Sequence, residues 1–172
     1  MDALVLDNPA ITPENRSIEI IEPKHEDMLY FTVRAISSLE TDGPNGNNDG
    51  FPWKELQASY KTFKNKLLFL NHESSSPILS VGAISDSYLV DDKEQNSKYI
   101  LLLGKIDKML HPEIARMVET GNLSTGSMGC SCDESKCSIC GAILHSDNDP
   151  KCAHLESLDR EGCRPAIASA FR

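Results

Sequence analysis

All six cysteines of this 172-residue chain lie in one short stretch, between Cys130 and Cys163. A small secreted domain that is held by disulfides normally spreads its cysteines along the chain. Crowding in one stretch instead favours thiolate ligands gathered around a metal ion. The cysteines therefore constrain the last third of the chain more tightly than any other feature of the sequence.

Four residues of this stretch have the spacing of metal ligands. Cys137 and Cys140 form a CSIC motif, in which one tight turn can present both sulfurs to a tetrahedral zinc ion, and Gly141 helps that turn to reverse. Cys152 and His154, in KCAH, complete a Cys3His set. Because four protein ligands close the coordination sphere, the motif predicts a structural zinc site. The other cysteines are substitute ligands or spare thiols: Cys130, Cys132 and Cys163.

A catalytic zinc site is the competing interpretation of the same motif. His111 and Glu113 spell the H-x-E that zinc deaminases carry upstream of a P-C-x-x-C. Here Lys136, not proline, stands before Cys137. A deaminase would also leave the second half of the cysteine cluster without a role, so this alternative is the weaker one.

Charge and hydropathy exclude two classes of partner. The formal net charge is −9 and no block of Lys or Arg is present, which argues against binding driven by nucleic-acid phosphates. The longest apolar runs, Leu67 to Leu70 and Tyr99 to Leu103, are too short to cross a bilayer. Met1 to Ala10 lacks the basic flank of a secretory signal. We therefore expect an intracellular, soluble protein that binds neither nucleic acid nor membrane.

The hydrophobic pattern predicts an α+β fold. Apolar alternation indicates strands, and helical spacing behind a proline indicates short helices. The predicted strands are Met28 to Ser37, Leu67 to Asn71, Ile78 to Val90 and Lys98 to Asp107, and the predicted helices are Trp53 to Phe63 and His111 to Thr120. We expect a β-barrel-like sheet flanked by these helices.

A serine and a histidine stand out as candidates for catalysis. Ser127 lies among small residues directly after a predicted helix, and Gly126 and Gly129 permit the sharp backbone that would expose its hydroxyl. His72 follows the apolar run LLFLN, at a predicted strand end, and could act as the base that such a serine requires. On the residues alone, a plain loop around Ser127 and a structural histidine in the Glu73 to Ser76 turn remain open.

Several of these segments together resemble a known family. They are the block DGPNGNNDGFPWKELQASYKTFKNKLLFLNHESSSPILSVGAISDS, then GKIDK, HPEIARMVETGNLSTGSMGC, CSICG and CAH. They resemble the prohead (head maturation) proteases of tailed phages, which are similar in fold to the herpesvirus assemblin protease. The resemblance runs from about residue 41 to about residue 154, and NHE and SMGC are its most specific parts.

The resemblance implies a serine endopeptidase with Ser127 as nucleophile and His72 as general base. Its substrates would be the phage scaffold and major capsid proteins, cleaved inside the assembling prohead in the host cytoplasm, and it leaves room for a homo-oligomer. Ser124 and Ser131 lie outside the S-M-G position. The acid that would orient the histidine stays open: Glu73 is adjacent but points the other way on a strand, and spacing does not choose between Asp86 and Asp107.

The predicted organisation is an N-terminal arm (residues 1–26), a protease core (27–129), a Cys-rich zinc-binding insertion after the serine motif (130–163) and a tail (164–172). The family commonly continues with further apolar strands, whereas here GCRPAIASAFR stops at Arg172, so we expect a shortened or processed form. The alternative is a catalytically inactive head or scaffold-associated protein that keeps the fold and the zinc site. A free-standing zinc-ribbon adaptor would explain only the last third of the chain.

Overall fold

A computed structural model describes residues 25–126, 129–130, 132–146 and 148–156, and the backbone of 167–171. The predicted N-terminal arm, apart from its last two residues, lies outside these ranges. In chain order the elements are β1 (Met28–Ser37), α1 (Leu39–Asp42), β2 (Asp49–Gly50), α2 (Trp53–Ser59), β3 (Leu67–Phe69), β4 (Ser80–Asp92), β5 (Ser97–Asp107), α3 (Pro112–Glu119), β6 (Cys132–Cys137), β7 (Ile143–Leu144), α4 (Ala153–Glu156) and β8 (Ile167–Phe171).

The larger of two sheets contains the strands that the hydrophobic pattern predicts. Its order is β1-β5-β4-β3, and every neighbouring pair is antiparallel. β4 and β5 form a long hairpin in which Leu89 stands opposite Ile100. β1 lies at one edge of this sheet and β3 at the other.

The core lies between the large sheet and α2. Leu56 of α2 and Ile100 of β5 are both fully buried, because the helix presents its apolar stripe to the face of the sheet. The helix predicted over 53–63 is helical throughout, but it is an α-helix only as far as Ser59. Tyr60–Phe63 form a 3-10 turn. The Ser87 hydroxyl of β4 donates to the Tyr60 carbonyl at 2.8 Å, so that carbonyl is bonded to the sheet.

The smaller sheet takes two of its four strands, β6 and β7, from the cysteine-rich stretch. Its order is β2-β8-β6-β7, with β2 and β8 parallel and the other pairs antiparallel. β8, in the predicted tail, is therefore paired on both sides. The α+β class is confirmed, but over the described ranges both sheets are open and form no closed barrel, so the expected β-barrel-like sheet is not found. Four strands are too few to wrap around a packed interior.

No helix within the described part of the chain combines the length and the apolar character that crossing a bilayer demands.

Candidate metal centre and serine segment

The four predicted metal ligands converge on one point. The ligand atoms of Cys137, Cys140, Cys152 and His154 all lie within 4.8 Å of one another, and no other group of this kind occurs in the described part of the chain. In a tetrahedral site with Zn–S bonds of about 2.3 Å, neighbouring ligand atoms are roughly 3.8 Å apart. A small contraction would therefore let all four atoms bind a single ion.

A tight turn presents the first two sulfurs. At the end of β6, the Cys137 amide donates to the Ala142 carbonyl at 2.8 Å, and the Gly141 amide donates back to the Cys137 carbonyl at 2.9 Å. Gly141 has a φ of +75°, a left-handed conformation that costs glycine little. These bonds hold the CSIC turn closed, with Cys137 buried and Cys140 exposed.

Backbone amides also act on the thiols themselves. The amides of Cys140 and Ile139 donate to the Cys137 sulfur and lower the pKa of that thiol in spite of its burial. The Ala142 amide favours the Cys140 thiolate in the same way, but the Cys152 thiol, desolvation and Cys137 act against it, and the pKa of Cys140 is raised. The environment therefore favours the thiolate of Cys137 more than that of Cys140, and metal binding would displace the proton of any thiol that still carries one.

Three thiolates and one imidazole are ligands for zinc or another thiophilic ion in tetrahedral geometry. The donor set therefore fits a structural metal ion. It fits a catalytic one poorly, since all four positions would be filled by protein atoms.

The serine segment is described up to Gly126. Ser127 and Met128 lie outside the described residues, as does Ser131. A Cβ atom on Gly126 would stand 3.5 Å from the Cγ2 atom of Val33, so the segment comes into contact with β1 just before Ser127.

A groove of about 440 Å³ opens beside Gly126. It is lined by the last residues of β1 (34–37), by six residues from the end of α1 to the start of β2 (42–45, 47 and 49), and by Phe51, Gly126 and Cys130. The loop is held by Asn45, whose side-chain oxygen accepts the amides of Asn47 and Asp49, both at 2.9 Å. One wall of the groove is thus the edge strand of the large sheet, and the other is a loop fixed by hydrogen bonds.

Arg34 joins the two walls. Its guanidinium group donates to Asp42 at 2.5 Å, to Ser97 at 2.8 Å and to Ser37 at 2.9 Å, and it stacks over the Tyr99 ring at 4.3 Å. Burial alone would raise the pKa of Asp42, but hydrogen bonds from Thr41, Ser97 and Arg34, together with the charge of Arg34, hold it below its ordinary value. The sequence alone does not predict this network. Its one signal there is an arginine in an otherwise mostly apolar strand.

A further pair of thiols begins at Cys130, which lines the groove. The sulfur atoms of Cys130 and Cys132 are 4.0 Å apart. Desolvation, the Cys132 thiol and the Asp49 carboxylate raise the pKa of Cys130 to about 11, so at neutral pH it is a protonated thiol.

His72 lies in an exposed turn directly after β3. Asn71 and His72 have φ values of +51° and +60°, a conformation that is uncommon for residues other than glycine. The Ser74 amide donates to the His72 carbonyl at 2.8 Å, and the Glu73 amide donates to the Leu70 carbonyl at 2.9 Å. The pairing of His72 with Ser127 stays a prediction, because Ser127 is outside the described residues.

The candidate acids have structural partners of their own. Asp86 accepts the Ser87 amide at 2.9 Å, and Asp107 accepts the amides of Met109 and Leu110 at 2.8 and 3.0 Å. Glu73 is exposed. The choice of an orienting acid stays open.

Comparison with protein-family models, with curated proteins and with solved structures finds no match in any of the three. A function therefore has to be inferred from the residues of this chain.

Proposed function

We propose that this chain is a serine endopeptidase of the prohead maturation type, which cleaves scaffold and capsid-protein segments during head assembly. The observation that supports this best is the position of Gly126. The residue directly before Ser127 lines a groove along an edge strand, and such a groove suits an extended peptide. The resemblance in the NHE and SMGC segments assigns the chemical roles.

In the proposed reaction, the Ser127 hydroxyl attacks the scissile carbonyl while His72 accepts its proton. His72 then gives that proton to the leaving amine, and water hydrolyses the acyl-enzyme. Backbone amides near the serine would donate to the oxyanion. The scissile segment would lie in the groove, against residues 34–37 of β1.

The metal in this proposal is a zinc ion with a structural role. Cys137, Cys140, Cys152 and His154 would hold it, and the ion would crosslink the end of β6 to α4. β6 begins at Cys132, five residues after the proposed nucleophile. The ion would thus fix the chain that leaves the serine segment, and it would take no part in bond cleavage.

The test is co-expression with the scaffold protein of the same phage, followed by intact mass measurement. We expect cleavage by the wild type and none by Ser127→Ala or His72→Gln. Ser124→Ala and His25→Gln are matched controls, each with the same chemical change at a residue outside the proposed pair, and they should cleave normally. Equal cleavage by Ser127→Ala and the wild type would overturn the assignment.

A catalytically inactive head protein is the second candidate. The observation in its favour is that His72 follows β3, whereas Gly126 contacts β1, at the opposite edge of the large sheet. A serine-reactive phosphonate probe separates the two, because it labels only a serine whose proton is removed by a base. Labelling of the wild type that is lost in His72→Gln supports the peptidase. An unlabelled wild type with full metal content supports the inactive protein.

A further inference from the structure

We propose that Cys130 and Cys132 form a reversible dithiol–disulfide pair, a modification site separate from the metal cluster. Their sulfur atoms are 4.0 Å apart, Cys130 is exposed and lines the groove, and Cys132 is half-buried at the first position of β6. Both thiols are therefore near each other and near solvent.

The geometry allows the bond to form. The sulfurs must approach from 4.0 Å to about 2.05 Å. Side-chain rotation can supply most of this movement, since residues two apart on an extended chain point to the same side. Cys130 lies two residues before the first position of β6, outside the strand pairs described for that strand.

The same geometry makes the bond easy to reduce. A disulfide between residues two apart closes a very short loop, so it removes little conformational entropy from the unfolded chain. Strained or exposed disulfides are the labile ones. We therefore expect a pair that opens and closes with the thiol balance of its surroundings, not a permanent crosslink.

The other described cysteines do not compete for this reaction. Cys137, Cys140 and Cys152 converge with His154 on one point, and a metal ion there would occupy their sulfurs. Exchange with a low-molecular-weight disulfide such as oxidised glutathione would proceed in two steps. The Cys132 thiolate attacks one glutathione sulfur, forming a mixed disulfide and releasing a glutathione thiolate.

Cys130 then attacks the Cys132 sulfur and displaces the second glutathione, and the released glutathione takes up the proton that Cys130 loses. The two cysteines are oxidised together, and one glutathione disulfide is reduced to two thiols. The pKa of Cys130, about 11, keeps its thiolate fraction small at neutral pH, so this second step is the slower one and should speed up as the pH rises. The new bond would tie the end of the groove to β6.

The experiment treats the zinc-loaded full chain with oxidised glutathione and then maps the thiols by alkylation and peptide mass spectrometry. We expect a loss of two hydrogens in the intact mass, with both atoms missing from the peptide that contains Cys130 and Cys132. Added dithiothreitol should restore the starting mass. Zinc content, measured in parallel, should stay unchanged.

Variants make the assignment specific. Cys132→Ser should stop at a single glutathione adduct or remain unmodified, and Cys163→Ser should form the bond as the wild type does. A disulfide between Cys130 and Cys163, or loss of zinc with oxidation of Cys140, would overturn the proposal. None of these readouts depends on peptidase activity, so failure of one proposal would not be mistaken for failure of the other.

Discussion

At the scale of single residues, the network around Arg34 decides how the groove keeps its shape. A planar guanidinium group can donate to several acceptors at once, and here it joins β1 to Asp42 and Ser97. A lysine ammonium has no such fork. The sequence predicts the four residues of the possible metal cluster because their spacing is local. It does not predict this network, because Arg34 and Ser97 are brought together only by strand pairing.

The low pKa of Asp42 predicts acid sensitivity. A carboxylate with a depressed pKa in the folded state contributes stability above its unfolded pKa, near 3.8, and that contribution disappears as the pH falls through the lower folded value. We expect Asp42→Asn to cost about 1 kcal/mol at neutral pH, with allowance for partial exposure. The difference from the wild type should shrink as the pH falls below 4.

Urea unfolding measured across this pH range checks the prediction. Asp91→Asn is the matched control, because its near partner Lys93 is 69% exposed, its second partner Lys98 is 4.0 Å away, and surface pairs of this kind contribute about 0.5 kcal/mol. A deficit in Asp42→Asn that does not change with pH would mean that Asp42 stabilises the fold by packing and not through its charge.

At the scale of elements, the strands of the large sheet were predictable and their neighbours in the small sheet were not. Alternating or continuous apolar runs marked β1, β4 and β5. β2 and β7 contain two residues each, and β6 reads CDESKC, so none carries a hydrophobic pattern. Such strands form because they pair with neighbouring strands, and the residues of a single segment do not show which strands it will pair with.

The β4–β5 hairpin depends on one close backbone approach. A Cβ atom at Gly82 would collide with the Lys105 carbonyl oxygen across the strand pair and come within 3.0 Å of Ile106. Because the first obstacle is backbone, it cannot rotate away. We expect Gly82→Ala to destabilise the protein by about 1–3 kcal/mol, as overpacking does.

Thermal unfolding of Gly82→Ala beside Gly46→Ala tests this directly. A Cβ atom at Gly46 meets nothing within 4 Å, and we expect its effect to stay within about 0.5 kcal/mol. Equal stability of the two variants would show that the β4–β5 pairing adjusts to a methyl group.

At the scale of the whole molecule, the described strands divide into two sheets that are stabilised in different ways. The large sheet has its own buried core. Among the described residues of the metal region, Cys137 and Leu155 are the buried apolar ones, so a bound ion would have to replace much of a core there. The two residues of the predicted serine-histidine pair belong to different sheets. His72 follows β3 of the large sheet, whereas the serine segment leads into β6 of the small one.

Removing the metal should therefore loosen one sheet and spare the other. We expect a chelator to speed hydrogen exchange in β6 and β7 by more than tenfold, since their crosslink is lost, while the β4–β5 hairpin stays protected. Hydrogen-exchange mass spectrometry with and without the chelator measures both regions in one sample. Cys140→Ser should behave as the chelated wild type, and Cys132→Ser should not.

Uniform loosening of both sheets would contradict a metal-dependent small sheet. An unchanged pattern would mean that the cysteine cluster folds without an ion.

The central position of β8 in the small sheet delays the completion of that sheet during synthesis. β8 lies between β2 and β6 in the small sheet, yet it is the last strand of the described chain. During synthesis the large sheet can assemble from segments that are close in sequence, whereas β2 must wait until more than a hundred further residues have been added before it meets its partner. The groove wall next to β2 would thus be completed late, so a newly made chain would hold a folded large sheet well before it holds a finished groove.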